Sequence, residues 1–286
     1  MTSNGKTLRA RLSQSFNTLS GLILRDPYIL RNFLKPIAVR IVRLFTLSRG
    51  FSLNIAGKYN VRFCETFFFS NWENFGTGHN SGFRFVMSRL QEDSVFYDIG
   101  AHIGLFSIPV AKSFNGVKVV AFEPSSINNK FLNKHIRLNR LANVQQVNCL
   151  VGEKCSKAEF YEDFENVNAM GSTIPSLYGA NSFSRTHKDV ICVDDFVDEG
   201  GPIPTIMKID VEGAELDVLR GAQNVLEMHN PILVVSLHPR ILRSFNVEPA
   251  EVVQFIESLG YRCFEDDGRT AYRYGSNELI CEKINA

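Results

Sequence analysis

Val95-Phe96-Tyr97-Asp98-Ile99-Gly100-Ala101-His102-Ile103-Gly104 starts as an apolar run and closes on two glycines. The run reads as a short buried strand, and the residues from about Gly104 to Ser113 read as the helix that follows it. Glycine at 100 lets the chain turn tightly and lets a ligand come close to the backbone. Glycine at 104 lets the helix begin near the sheet. The spacing D-x-G-x-x-x-G is one residue longer than the dinucleotide pattern G-x-G-x-x-G, which seats a pyrophosphate on a helix N-terminus. Asp98 would set a carboxylate against that pyrophosphate. A cationic ligand such as a sulfonium amino acid suits it better, and a purely structural turn is the alternative.

The alternation continues outward from this point. Val117 to Phe122 reads as a second strand, Ser125 to Leu138 as a helix and Val144 to Leu150 as a third strand. Ile206–Ile209 and Ile232–Leu237 are further buried strands joined by a helix over 214–228. A helix near Pro249–Ser258 precedes two last strands, Tyr261–Phe264 and Glu278–Glu282. Such βαβ repetition implies an α/β fold with a mostly parallel sheet covered by helices on both faces. Ligands of such sheets sit at the carboxyl ends of the strands, where the strand order reverses.

Three strand ends carry chemistry. The first is the Asp98 turn. The second is Phe122-Glu123-Pro124, 25 residues on, where an acid can accept both hydroxyls of a ribose; a helix-capping carboxylate is the alternative, since Ser125 and Ser126 follow. The third is Lys208-Ile209-Asp210-Val211-Glu212-Gly213-Ala214-Glu215, where strand alternation puts Lys208 and Asp210 on one side. Asp210 and Glu212 can serve the reaction or bind free N–H groups of the next helix, and Glu215 reads as an acid in its first turn. His238 ends the neighbouring strand and is the candidate general base. Glu212 is the reserve, Asp210 the residue that orients an acceptor and offsets a cationic charge, and Lys208 an orienting partner.

These residues, with the run Ile209-Asp210-Val211-Glu212-Gly213-Ala214-Glu215-Leu216-Asp217-Val218-Leu219-Arg220-Gly221-Ala222, resemble the FkbM family of S-adenosylmethionine-dependent methyltransferases over roughly residues 70–265. The resemblance implies a class I methyltransferase (Rossmann-like) fold, a seven-stranded sheet with one antiparallel strand near its edge. It also implies S-adenosyl-L-methionine as cofactor and O-methylation of a hydroxyl on a sugar, glycoconjugate or other natural-product intermediate. The cofactor contacts it implies are Glu73, Asp98, Gly100, Ala101, His102, Gly104, Glu123, Pro124 and Leu150. His102 stands where the family usually has Asn, and Ser236 where it often has Glu before His238. A nicotinamide-dependent oxidoreductase is the rival that Glu123 alone permits; Asp98 and the absence of G-x-G-x-x-G speak against it. A methyltransferase-fold scaffold without transfer activity is the non-enzymatic rival.

Of the 286 residues, 44% are hydrophobic and 21% charged, a globular balance. The net charge of +1 is uneven: residues 1–50 hold nine basic side chains and one acid, so this arm carries +8 and residues 51–286 carry −7. A mildly acidic body argues against nucleic acid as a partner. The expected organisation is a basic amphipathic helical arm over 1–50, a connecting segment over 51–93 and a catalytic domain over 94–286. In the arm, Leu8, Leu12, Phe16, Leu19 and Ile23 form one helical stripe, and Leu30 to Phe45 continue it, with Pro36 as a break. Such an arm packs on the body or on a second subunit, or lies on an anionic membrane surface. Six dispersed cysteines, with no CxxC pair, read as core residues in a reducing compartment and give no zinc pattern; with no signal peptide, a cytoplasmic location is expected. The charge-free run 166–184 reads as a substrate lid. His135, His187 and His229 read as surface or capping residues, as does His79, although it lies near the site.

Overall fold

The structure, a computed structural model, describes residues 35–46, 49–68, 70–77, 80–162, 184–265, 267–272 and 277–284. The arm before residue 35, His79 and the expected lid up to residue 183 lie outside the described residues; Ser184 begins a strand.

A helix, α1 (Lys35–Thr46), precedes a hairpin of β1 (Phe51–Ile55) and β2 (Tyr59–Phe63) and then α2 (Gly82–Arg89). The main sheet begins with β3 (Val95–Ile99), α3 (Ser107–Ser113), β4 (Lys118–Phe122), α4 (Ser126–Asn139) and β5 (Val144–Val147). A small second sheet follows, made of β6 (Leu150–Val151), β7 (Ser156–Glu162) and β8 (Ser184–Ile191) in the order β6-β8-β7. After α5 (Val193–Asp198), the chain returns to the main sheet with β9 (Ile206–Ile209), α6 (Glu215–Arg220), α7 (Gln223–His229) and β10 (Ile232–Ser236). It ends with α8 (Pro239–Ser244), α9 (Pro249–Ser258), β11 (Tyr261–Phe264) and β12 (Glu278–Lys283).

The seven main strands lie in the order β11-β12-β10-β9-β3-β4-β5. All run parallel except β12, which pairs antiparallel with both β10 and β11 one place in from the edge. This is the class I methyltransferase arrangement. The chain moves outward from β3 through β4 to β5 and then crosses back to β9 on the other side of β3, so the strand order reverses between β3 and β9. Two apolar cores follow from strand alternation. Phe96, Val119, Ala121, Ile206 and Val234 face one layer; Tyr97, Val120, Phe122, Met207 and Leu233 face the other.

Several boundaries differ from the sequence reading. The stretch 51–93 is no simple connector: Leu53, Ile55, Phe63, Phe83 and Val86 are buried in the same core as β3. The third strand stops at Val147, and Leu150 starts the second sheet. The single helix expected over 214–228 is two, because Gly221 passes against the carbonyl of Gly152, where any Cβ would collide with its oxygen. Pro36 is the second described residue of α1, so the break expected there falls at the edge of the described residues. Among the described residues, no helix is long and apolar enough to cross a membrane.

Candidate active site

A cavity of about 710 Å³ opens at the carboxyl ends of β3, β4, β9 and β10. Its wall is Ile99–His102 from the β3 turn, Phe122–Pro124 from β4, Lys208, Asp210, Val211 and Glu212 from β9, and His238 after β10. Cys149, Leu150 and Val151 close one side, and Asn71, Trp72, Asn74 and Phe75 another. The β3 turn needs glycine at 100 for two reasons: its φ is +81°, and a Cβ would strike the carbonyl oxygen of Asp210. His102 is also left-handed, at φ +52°, a conformation that Asn and His tolerate better than most residues.

Glu123 is buried against this turn. The N–H of His102 donates to its Oε2 (2.7 Å), while Ser125 N–H (2.9 Å) and the Asn128 amide (3.2 Å) donate to Oε1. Burial pushes its pKa up, against the opposing pull of His102. A carboxylate has about four acceptor positions, so these donors leave room for one more. Asn128 Oδ1, beside it in the wall, is buried and has no hydrogen-bond partner among the described residues.

At the other end, Asp98 and Lys208 are register partners on β3 and β9 and face the same layer. Lys208 Nζ lies 3.2 Å from Asp98 Oδ1 and 3.5 Å from Asp210 Oδ2, and it donates to the Gly100 carbonyl at 2.8 Å. Burial works against its charge, but the two carboxylates outweigh that and hold its pKa above the usual lysine value. Asp98 Oδ2 accepts from the Ser107 N–H and hydroxyl. Asp98 is thus buried beneath the wall, with Oδ2 held by Ser107 and Oδ1 paired in charge with Lys208 but without a hydrogen bond among the described residues.

His238 joins the β10 end to the β9 turn. Its Nδ1 is 2.7 Å from Oε1 of Glu215, a carboxylate with no exposure at all, and its Nε2 is 3.5 Å from Asp210 Oδ1. A carboxylate can only accept, so Nδ1 carries the hydrogen and Nε2 is left free to exchange a proton at the cavity wall. Burial lowers the pKa of His238, but the Glu215 hydrogen bond and the charges of Asp210, Glu215 and Glu212 outweigh it, and the net shift is upward. The other oxygen of Glu215 accepts from Gly213 N–H at 3.0 Å. The sequence reading gave Glu215 only a first-turn role; its tie to His238 depends on a residue 23 positions away on another element.

Asp210, Glu212, Lys208 and His238 thus converge on one wall, with Gly100, Ala101, His102, Glu123, Pro124 and Leu150 on the rest. Glu73 does not join them: it is exposed, and its N–H is held by Asn71. Gly104 lies behind the wall, under Ile108 and Leu132. Asp210, Glu212 and His238 do not converge as metal ligands; among the described residues the only such grouping is Cys155, Cys192 and Asp195, none of which lines the cavity. Of the histidines, His187 lies on β8 and His229 ends α7, but His135 is fully buried, against the surface or capping role expected. Its Nδ1 is 2.9 Å from the Ile103 carbonyl and its ring packs on Phe63.

The family model for the FkbM methyltransferase domain matches residues 98–263, more than half of the chain. The chain belongs to the FkbM methyltransferase family. Methyltransferase 1 of Beauveria bassiana is 30% identical over 146 residues, a match spanning 46% of this chain and 59% of that protein. The hexuronic acid methyltransferase AglP of Haloferax volcanii is 26% identical over 180 residues, spanning 63% of this chain and 68% of that one. A solved FkbM methyltransferase from Methylobacillus flagellatus aligns with a TM-score of 0.46 at 19% identity, covering 97% of this chain and 60% of its own. One departure from the FkbM pattern has a structural counterpart. At Ser236, a carboxylate is supplied from the next strand: Ser236 donates to Glu278 Oε1 at 3.2 Å, and Glu278 Oε2 accepts from Ser81 Oγ and Gly82 N–H at the start of α2.

Proposed function

We propose that this protein is an S-adenosylmethionine-dependent O-methyltransferase acting on a hydroxyl of a sugar or glycoconjugate. The observation that carries the reading is the His238 Nε2–Asp210 Oδ1 pair in the cavity wall, with Nδ1 fixed from behind by buried Glu215. Neutral imidazole and carboxylate both present lone pairs, 3.5 Å apart. An acceptor hydroxyl donating into that gap gains a hydrogen bond and a base at once. The Haloferax relative is a hexuronic acid methyltransferase, which supports a sugar acceptor.

The wall fits the cofactor. Asn128 Oδ1 is an unsatisfied buried acceptor beside Glu123, and a ligand carrying hydroxyl or amine donors would satisfy both. Glu123 would accept from a ribose hydroxyl in its one remaining position, with Asn128 Oδ1 beside it for a second donor, and the Gly100–His102 turn would let the amino-acid portion approach the backbone. When bound, S-adenosylmethionine supplies an electrophilic methyl on a sulfonium centre. The chain's own part is to align the acceptor and remove its proton. His238 takes the proton at Nε2, Glu215 keeps the imidazole in the required tautomer, and Asp210 orients the hydroxyl and offsets cationic charge. Lys208 in turn holds Asp210 in place.

Two measurements test this. Glu123→Ala should weaken S-adenosylhomocysteine binding by about 1.5–3 kcal/mol in calorimetric titration, the value of a hydrogen bond to a charged group. Asp210→Asn should keep that affinity yet lose most transfer of labelled methyl to a hexuronate glycoside. Near-normal turnover by Asp210→Asn, or unchanged affinity in Glu123→Ala, would sink the corresponding assignment.

A further inference from the structure

Helix α1 carries an apolar face that the body does not cover. Leu44 is 74% and Phe45 85% exposed, and Ile37 and Ile41 are about half exposed (52% and 49%). These four are most of the seven large apolar side chains exposed among the described residues, and their spacing of four, three and one puts them on a single stripe. The helix is not loose. Thr46 Oγ1 donates to Glu65 Oε1 at 2.8 Å, Gly50 N–H donates to the same oxygen at 3.0 Å, and Val42 packs on the core. The anchored face is thus already satisfied, and the stripe points away from it.

Charge identifies what should cover the stripe. Arg40 borders one edge of the stripe and Arg43 lies further round on that same side, both exposed; α1 contains no acid, and residues 1–50 as a whole carry +8. A symmetric dimer through this stripe would bring the same patch of two copies together and set arginines against arginines. An anionic lipid surface offers the opposite: acyl chains for Ile37, Ile41, Leu44 and Phe45, and phosphates for the guanidinium groups, which can reach outward along their own stems. We propose that α1 docks the protein on an anionic membrane surface, with its apolar stripe at the headgroup–acyl boundary. The docking is independent of the methyl-transfer reading.

The test is flotation of the full chain with phosphatidylcholine vesicles, with and without phosphatidylglycerol, at low and high salt. The expected result is about tenfold or greater enrichment on the anionic vesicles, reduced by salt. Leu44→Asp with Phe45→Asp should lose that binding, and Arg40→Glu with Arg43→Glu should lose the preference for anionic lipid. Both variants should keep the parent's melting temperature and S-adenosylhomocysteine affinity, since neither pair touches core or cavity. Equal recovery on neutral and anionic vesicles, no recovery, or parent-like flotation of the Leu44→Asp/Phe45→Asp variant would overturn the proposal. So would light scattering that shows a dimer dissociated by that variant with no vesicle binding, which would give the stripe to a second copy.

Discussion

At the scale of single residues, His238 and Glu215 set the pH behaviour of the site. His238 must be neutral to accept a proton, and its neighbours raise its pKa above 6.5. The acid limb of kcat/KM should therefore lie above pH 6.5. Glu215→Gln removes one of the anions responsible while keeping an acceptor for Nδ1–H, so the limb should move to lower pH with cofactor affinity unchanged. A pH–rate profile that stays in place would separate His238 from the chemistry. The stability linkage has a definite sign: a raised folded pKa means the protonated form is favoured by folding. This contribution is fully present below pH 6.5 and is lost as pH rises through the folded value. Glu215→Gln should reduce this acid-side contribution, which NMR titration of His238 can follow directly.

At the scale of elements, the break between α6 and α7 shows how one close contact reshapes a helix. Leu216 to Leu226 carries a continuous apolar pattern, but the backbone at Gly221 lies on the Gly152 carbonyl, and the second helix restarts with an acid from α5. Both carboxylate oxygens of Asp194 accept from the first N–H groups of α7, at Asn224 (3.0 Å) and Val225 (2.9 Å). Asp194→Ala should lower stability by about 1 kcal/mol, the usual value of a lost cap. Gly221→Ala should cost more, about 1–3 kcal/mol or above, because backbone must move to admit the methyl. Urea denaturation measures both, and neither should change cofactor affinity, since neither residue lines the cavity.

At the scale of the whole molecule, His135 ties three parts together. It lies on α4, packs its ring against Phe63 of the hairpin, and bonds the Ile103 carbonyl in the turn after β3. Burial lowers its pKa to about 4, so the folded protein holds it neutral. Stability should be fully present above pH 6.5 and fall as pH drops toward 4, by about 3 kcal/mol from this group. A glutamine at 135 does not titrate, so His135→Gln should flatten that part of the profile, at the expense of some stability at neutral pH. This dependence is opposite in sign to that of His238, and chemical denaturation across pH 4–8 resolves the two.

The sequence by itself determined the parallel sheet, the order of its strand ends and most of the cavity wall. Those features are local: apolar runs, glycines at obligatory turns, and acids at strand ends, which topology then gathers on one edge. Gly100, Glu123, Asp210 and His238 were legible for that reason. Only the tertiary structure decided which side chain answers which. Asp98 reads in the sequence as an acid at a strand end, and only the fold shows Lys208 and Ser107 to be its buried neighbours. Glu215 looks like a helix-end acid until His238 lies against it, and His135 looks like a surface residue until Phe63 covers it. The hairpin at 51–63 belongs with these, because its alternation is short and its burial depends on α4 and Phe67 packing over it. Partnership and depth are properties of pairs distant in sequence, and a linear pattern of residue types holds no record of them.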